Sequence, residues 1–335
     1  MRTLAAVLLF AVPGCDSQDA GEEGRAIHAQ ALPSCGDAVS GGWEEGFGAP
    51  LEDTDPLITD VAATADGVIA VGWIDQFGTG PLVARFDGQW RDVPTDPENE
   101  NLRRVVVLAD GSIVLGGTRI TRSDGTSSTT IADQGLSTGG ALPLLADADG
   151  ALYFVAPEPG QGEVMRWREG TVDSFGVVDF DVSTLAIVDG ELVAAGTELH
   201  DSSATSRIAV LRAGAWESLD MVPGFGIDDL LVAPSLGVVM RNDERLRVAG
   251  SLDGPWTDLG TEEMFSTAAC DGGLFGVWRA SSGYDPIRYQ LGFFDGSWQP
   301  LGEDRPGYVA RIASSADGVY LAAGEDDGVL FWRYP

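Results

Sequence analysis

Cysteine, histidine and carboxylate side chains are the groups of this chain that could perform covalent, acid–base or metal chemistry. The 335 residues include three cysteines, two histidines and 52 acidic residues. All 20 basic residues are arginine, which excludes Schiff-base and lysine general-base chemistry. A copper centre with several imidazole ligands cannot be assembled from His28 and His200 alone.

The sequence gives little support for hydrolytic catalysis. No His-Glu-x-x-His zinc box occurs. A Gly-x-Ser-x-Gly spacing occurs once, at Gly135-Leu136-Ser137-Thr138-Gly139, but a Ser-His-Asp triad would have to depend on His200. His200 lies in a polar stretch between Glu198 and Ser203, so we interpret it as an exposed loop residue rather than a catalytic base. No catalytic residue and no metal ligand is therefore predicted.

Acidic clusters are the remaining candidates for metal binding. Several carboxylate oxygens can bind Ca²⁺, but none of the clusters has the regular ligand spacing of a calcium loop. We interpret them as solvated loop charge, with Ca²⁺ as the alternative and no other cofactor expected. The clusters are Glu52-Asp53-Thr54-Asp55, Asp96-Pro97-Glu98-Asn99-Glu100, Glu303-Asp304 and Glu325-Asp326-Asp327.

The N-terminal segment has the pattern of a bacterial lipoprotein signal. One charge, Arg2, precedes the apolar run Leu4 to Val12, and Gly14 stands immediately before Cys15. We expect residues 1–14 to be removed and Cys15 to be lipidated, with residues 15–34 as a flexible polar tether. The protein would then be anchored in the cell envelope; the alternative is a plain signal peptide and a secreted protein.

The two other cysteines, Cys35 and Cys270, form an even pair in a chain expected to be exported. An oxidising compartment favours a disulfide over a metal site or a nucleophile. We predict a Cys35 to Cys270 bond, and two unpaired buried thiols are the alternative.

The overall charge limits the classes of partner. The formal net charge is -32 and the isoelectric point is about 4.1. Binding of nucleic acid needs a basic face, so a nucleic-acid partner is excluded. Self-repulsion keeps such a chain soluble, and we expect a monomer.

A repeat of 35 to 47 residues determines the fold class. Seven times an apolar stretch enters an Asp-Gly turn, or a related turn, and continues as a second apolar stretch. This period is typical of the four-stranded blades of a β-propeller. The turns are Asp66-Gly67, Asp110-Gly111, Asp149-Gly150, Asp189-Gly190, Leu236-Gly237, Asp271-Gly272 and Asp317-Gly318.

The pattern predicts one domain over residues 35–335: a seven-bladed all-β propeller of four-stranded antiparallel blades. The last unit supplies three strands, and Gly41-Gly42-Trp43-Glu44 matches the missing outer strand. We therefore expect the N-terminal strand to complete the last blade and close the ring. Each Asp-Gly is expected to form a type I′ hairpin turn, and a β-sandwich is the alternative fold.

A second turn followed by Trp recurs in four units, and we interpret this Trp as a packing residue between blades rather than a ligand platform. Segments such as Leu82 to Trp90 and Gly292 to Gly302 resemble the repeat of bacterial kelch-like and galactose-oxidase-central-domain-like propellers, and the inner hairpin resembles delta-60-type repeats. The resemblance implies a non-catalytic propeller at the cell surface or in the periplasm.

Function is expected on loops that the rigid strands hold in place. We assign the longer and more varied connections to one face, here called the variable face, with Thr121 to Ser128, Pro157 to Gly162, Leu199 to Arg207, Ala280 to Pro286 and Asp304 to Tyr308. The candidate ligand contacts on this face are Arg122, His200, Tyr284 and Tyr308.

Three functions are compatible with these patterns. The first is a lipid-anchored propeller that binds a protein, peptide or glycan on the variable face. The second is a glycan hydrolase or lyase that uses carboxylates near the central channel, and the third is a structural envelope protein. Two carboxylates that face inward beside a deep channel would favour the enzyme.

Overall fold

The computed structural model describes residues 57–74, 80–133, 143–158, 160–200, 203–219, 226–242, 245–260, 263–280, 288–306, 310–315, 318–325 and 328–334. The regular secondary structure within these ranges is β-strand throughout. Among the same residues, no helix is long and apolar enough to cross a membrane.

The first three sheets contain four strands each. Blade 1 contains β1 to β4, blade 2 contains β5 to β8, and blade 3 contains β9 to β12. Their bounds are Leu57–Thr64, Gly67–Trp73, Pro81–Phe86 and Trp90–Asp92; Arg104–Val107, Ile113–Gly116, Arg119–Ser123 and Ser128–Asp133; and Leu144–Ala146, Leu152–Glu158, Gln161–Arg168 and Thr171–Val178.

Three further four-stranded sheets and one shorter sheet follow. Blade 4 contains β13 to β16, blade 5 contains β17 to β20, blade 6 contains β21 to β24, and the last sheet contains β25 to β27. Their bounds are Asp181–Val188, Glu191–His200, Ser203–Arg212 and Ala215–Ser218; Asp229–Ala233, Gly237–Asn242, Arg245–Ala249 and Thr257–Asp258; Met264–Cys270, Gly273–Arg279, Arg288–Phe294 and Trp298–Pro306; and Ala310–Ser315, Gly318–Glu325 and Gly328–Tyr334.

Each sheet is an antiparallel meander in which consecutive strands pair, so the prediction of an all-β propeller is confirmed. The blade number was wrong: six four-stranded blades are present, not seven. The last sheet has three strands, and among the described residues no fourth strand pairs with its outer strand β27. The expected closing strand at Trp43 lies outside the described residues.

The hydrophobic core consists of layers between neighbouring sheets, which excludes the β-sandwich. Ile69 and Val71 of blade 1 pack against Val105 and Leu115 of blade 2, and similar clusters join each later pair of neighbours. The circle is completed because side chains of the last sheet, including Tyr320, pack against blade 1. Strand β2 is buried almost throughout because both of its faces are covered.

The turns between first and second strands are of more than one type. Asp189 and Gly190 both have positive φ, 52° and 80°, as a type I′ turn requires. At Asp110-Gly111 only the glycine has positive φ, and the loop has three residues because Leu108 pairs with Ser112. The expectation of type I′ geometry at every Asp-Gly was therefore wrong.

The tryptophans that follow the second turn pack between blades, as predicted. Trp216 in β16 of blade 4 joins the cluster between blades 3 and 4, and its indole Nε1 donates to the carbonyl of Phe175 at 2.9 Å. Trp90, Trp256 and Trp298 are similarly placed against neighbouring clusters.

Two opposite faces follow from this meander. The entry face is the end of the ring at which the first strand of each sheet begins, and it carries the second-to-third-strand turns. The turn face carries the first-to-second-strand turns and the third-to-fourth-strand turns. The entry face corresponds to the variable face of the sequence analysis.

Candidate functional site

A central cavity of about 510 Å³ lies between the first strands of the seven sheets, towards the entry face. Its walls come mainly from the first residues of those strands, such as Leu57 to Val61 of β1 and Phe265 to Thr267 of β21. Ligand pockets of proteins have volumes in this range. The first strands therefore position the candidate site, as radial packing around an axis requires.

One position of the repeat supplies much of the cavity wall. In six of the seven repeats, the residue six positions before the first residue of the repeat turn lines the cavity. In the repeat around Leu236 the lining residue is Asp229, seven positions before the turn. The six residues are Asp60, Arg104, Pro143, Ser183, Phe265 and Arg311.

Bulges in three first strands help to set which side chains face the axis. Strands β1, β13 and β21 each contain one extra residue relative to the second strand: Thr59, Ser183 and Phe265. All three extra residues line the cavity. A bulge redirects a side chain and is common beside functional sites.

The hydroxyls of two bulge residues also tie neighbouring blades together. Thr59 Oγ1 donates to the carbonyl of Leu102 at 2.7 Å, in the connection that enters blade 2. Ser183 Oγ donates to the carbonyl of Ile227, in the connection that enters blade 5. These bonds hold the cavity wall across blade boundaries.

Asp60 is a partly buried carboxylate of this wall. Its Oδ2 accepts a hydrogen bond from the Val105 amide at 3.0 Å, across the boundary to blade 2. Removal of the carboxyl group from water raises the pKa of Asp60, and this effect outweighs the opposing influence of Arg104, the Val105 amide and Arg311.

Arg311 lies beside this wall position, at the start of β25 in the sheet that packs against blade 1. Its Nε donates to the carbonyl of Thr59 at 3.0 Å. Burial lowers the pKa of the Arg311 guanidinium, and the positive charges of Arg104 and Arg241 lower it further, whereas Asp60 and Asp229 act in the opposite direction. Charges from several blades are thus close enough to influence one another.

The charged and aromatic part of the wall also includes Arg241, Arg103 and Trp73. Arg241 Nη1 is 3.1 Å from Asp228 Oδ2, in an ion pair at the start of blade 5. The guanidinium of Arg103 lies over the Trp73 ring, 5.8 Å from its centroid, within the range of a cation–π contact.

Arg122 does not lie where the sequence analysis placed it. It is in β7, and its guanidinium is 2.5 Å from Asp110 at the first turn of blade 2. The stretch Thr121 to Ser128 is a third-to-fourth-strand hairpin, so Arg122 lies on the turn face. Its assignment to the variable face was wrong because β6 ends at Gly116, earlier than the apolar pattern suggested.

His200 is the last residue of strand β14 and pairs with Ser203, on the entry face. The prediction of a loop from Leu199 to Arg207 was wrong because both strands extend and only residues 201 and 202 separate them. The predicted connection from Pro157 to Gly162 likewise belongs mostly to two paired strands, because Glu158 pairs with Gln161.

Tyr284 and Tyr308 lie outside the described residues, as do Cys15 and Cys35. Cys270 is fully buried at the end of β21, beside the turn into β22. The disulfide between Cys35 and Cys270 and the lipidation of Cys15 therefore stay predictions.

The described acidic clusters have partners within the protein. Asp96 accepts hydrogen bonds from the Glu98 amide, Arg119 and Thr130, and these interactions, the first above all, lower its pKa. Asp304 pairs with Arg288 at 2.7 Å. Within the described part of the chain, no three His, Cys, Asp or Glu side chains are grouped in a way that could hold a metal ion.

None of these cavity residues was predicted, because they lie on strands, whereas the candidate contacts were expected on the connections between strands. The available signal was a charged or hydroxyl residue at one fixed position of otherwise apolar inner strands. Aligning the seven repeats on their turns brings Asp60, Arg104, Ser183 and Arg311 to that position.

The fold and the axial cavity define the class of this protein: it is a β-propeller. Similar solved structures include virginiamycin B lyase from Staphylococcus aureus, with a TM-score of 0.60 and 13% identity over 87% of this chain and 98% of that one. YCF48 bound to D1 peptide has a TM-score of 0.55 and 14% identity over 90% and 97% of the two chains.

The β-propeller domain of the Trilobed protease from Pyrococcus furiosus is also similar, with a TM-score of 0.56 and 10% identity over 85% of this chain and 97% of that chain. At these identities the likeness shows the fold alone. No protein family matches the sequence, and no curated protein does. The kelch-like type is not confirmed.

Proposed function

We propose that this protein is a lipid-anchored, extracytoplasmic binding propeller that holds its ligand or partner at the entry face. The observation that carries the proposal is the central cavity of about 510 Å³, which lies towards that face and is lined from all seven sheets. Concave sites with a few converging polar groups are typical ligand sites. Propellers commonly mediate binding, and one structural neighbour is bound to a peptide.

The anchoring part of the proposal rests on the sequence of residues 1–15. We expect the full chain, expressed in a bacterium, to fractionate with membranes and to incorporate labelled palmitate. The Cys15→Ser variant should lose both properties because it lacks the thiol that is lipidated. Membrane association that persists in this variant would contradict lipid anchoring at Cys15.

The binding part of the proposal is tested by capture from the native envelope with the full chain as bait. Arg103→Glu changes the entry face at the cavity wall, whereas Arg85→Glu changes an arginine paired with Asp66 on the turn face. A specific partner should be lost with Arg103→Glu and kept with Arg85→Glu. Capture that depends on Arg85, or on neither residue, would refute binding at the entry face.

The enzyme alternative is favoured by one observation: two aspartates, Asp60 and Asp229, line the cavity. The raised pKa of Asp60 is a property that a general acid needs. Asp60, however, already accepts the Val105 amide and lies near Arg104 and Arg311. Analysis of captured glycan for cleavage products distinguishes this alternative from binding alone.

A further inference from the structure

The charge of the cavity wall is opposite in sign to that of the whole protein. Four arginines, Arg103, Arg104, Arg241 and Arg311, line the cavity together with two aspartates, Asp60 and Asp229. The complete chain has 20 basic and 52 acidic residues. The excess of arginine at the axis is therefore local, and overall composition does not explain it.

Two of these arginines act on a third, Arg311. Arg104 and Arg241 each disfavour the charged form of Arg311. Arg104 lies at the start of β5, Arg241 near the end of β18 and Arg311 at the start of β25, so the three residues come from different sheets. Like charges that are partly removed from water repel more strongly than they do in bulk solvent. The strands thus hold together cations that would separate if they were free to do so.

The two aspartates do not balance this cluster. Asp60 shares its charge with the Val105 amide, and burial disfavours its ionised form. Arg241 pairs with Asp228, whose side chain is half exposed. In the described part of the chain, the buried indole Nε1 of Trp73, another residue of the wall, has no hydrogen-bond acceptor. Among the described residues, four arginines of the wall therefore lie near three aspartates, Asp60, Asp229 and the neighbouring Asp228, and the wall also contains a buried donor that lacks an acceptor.

We infer that the cavity binds the carboxylate of a small organic anion, with Arg104, Arg241 and Arg311 as its cationic partners. The planar guanidinium group matches a carboxylate through two parallel hydrogen bonds. A single negative charge fits best because Asp60 and Asp229 would repel a dianion such as phosphate. This inference rests on the proposed function, since it names the ligand class of the same site.

The direct test measures binding to the full chain by calorimetry with matched pairs of probes. D-glucuronate is compared with D-glucose, and N-acetylalanine with its amide, because the members of each pair differ at the carboxylate. We expect at least one carboxylate to bind about tenfold or more tightly than its neutral partner. The pair that shows the preference distinguishes an acidic sugar from a peptide carboxyl terminus. No preference in either pair, or tighter binding of inorganic phosphate, would overturn the inference.

Two substitutions that change the charge of the wall in opposite directions give a sharper test. Arg104→Gln should weaken binding of the preferred carboxylate by about tenfold, whereas Asp229→Asn should strengthen it by a few-fold because it removes a repelling charge. Arg85→Gln, on the turn face, is the matched control and should change affinity by less than about twofold. Circular dichroism checks the fold of each variant.

Arg311→Gln is informative only if it folds, since Arg311 also bonds Thr59; Arg104→Gln and Asp229→Asn decide the matter without it. Affinity that is unchanged in both, or that changes with reversed signs, would contradict a carboxylate site. If carboxylates do not bind but envelope capture still depends on Arg103, this inference fails alone. If that capture also fails, the proposed function fails.

Discussion

Asp60 is the residue of the site whose ionisation most clearly opposes the stability of the fold. Its carboxyl group is enclosed by protein and faces Arg104 of β5 and Arg311 of β25, and its Oδ2 accepts the Val105 amide. Burial still has the largest influence, so its pKa lies above the ordinary value of 3.8. Ionisation of the Asp60 carboxyl group at the axis therefore lowers the free energy of unfolding.

The pH dependence of the stability of the Asp60→Asn variant should show this destabilising effect of the ionised carboxylate. Above pH 3.8 the unfolded chain loses the Asp60 proton before the folded protein does, so the wild type loses stability up to the raised pKa. The asparagine side chain of the variant does not titrate and can still accept the Val105 amide. We expect the free energy of unfolding of the variant, relative to wild type, to increase as pH rises through this window.

Urea unfolding at a series of pH values measures this difference, and Asp66→Asn is the control of opposite sign. A hydrogen bond from Arg85 lowers the pKa of Asp66, so wild type should gain stability relative to that variant as pH rises. A relative stability of Asp60→Asn that declines with rising pH would show that the arginines, not burial, dominate at Asp60.

At the scale of elements, the bulged first strands and the second strands opposite them shape the cavity. In blades 1 and 4, a glycine of the second strand pairs with the residue just before the bulge: Gly72 with Ile58, and Gly196 with Val182. A Cβ at Gly72 would lie 1.8 Å from the carbonyl oxygen of Leu57, and one at Gly196 would lie 2.0 Å from that of Asp181. Close backbone approach therefore requires glycine at both positions.

Gly72→Ala should destabilise the protein by about 2 kcal/mol or more, because the rigid backbone of β1 must move to admit the methyl group. Gly250→Ala is the matched control, since a Cβ there meets no atom within 4 Å. The control should lie within about 1 kcal/mol of wild type or be slightly more stable. Equal effects in thermal unfolding would contradict a bulge that depends on close approach.

The repeat period and the turn residues were sufficient to predict the order of strands within each sheet and the packing of the outer Trp, but the number of four-stranded blades was wrong. Strand lengths were less predictable, because polar residues such as Glu198 to His200 continue a strand when both neighbours in the ladder pair. Arg122 was misplaced for the opposite reason, because β6 ends at Gly116, earlier than the apolar pattern suggested. Residue spacing cannot show where a ladder ends when pairing, not polarity, decides it.

The candidate site could be predicted in part. The meander predicted which turns share a face, but it did not predict the cavity residues, because the bulges at Thr59, Ser183 and Phe265 leave no mark in the sequence of a single strand. Only the alignment of all repeats shows that one position carries Asp60, Arg104 and Arg311. The charge excess of the cavity depends on strands that are distant in sequence.

At the scale of the whole molecule, the protein is a ring in which each sheet is stabilised by its two neighbours. The cluster between blade 1 and the last sheet joins residues as distant in sequence as Ile58 and Tyr320. Such packing gives the axis a wall that no single blade could form. It also brings the scattered arginines together inside a protein of net charge -32.

Opposite charges at two scales have a consequence for binding. The overall negative charge repels anions at long range, and salt screens this repulsion beyond about 8–10 Å at physiological ionic strength. The arginines act only within the cavity, where screening is weaker. Selectivity for a carboxylate must therefore arise from contacts at the axis, on the entry face.

Hydrogen–deuterium exchange of the full chain with and without the preferred carboxylate probe would locate the bound ligand on the ring. We expect slower exchange at the starts of β1, β5 and β25, including the Val105 amide bonded to Asp60, and unchanged exchange at the Asp66-Gly67 and Asp110-Gly111 turns. The neutral partner of the probe should leave all of these amides unchanged. Protection at the turn face, or equal protection by the neutral compound, would contradict a carboxylate site at the entry face.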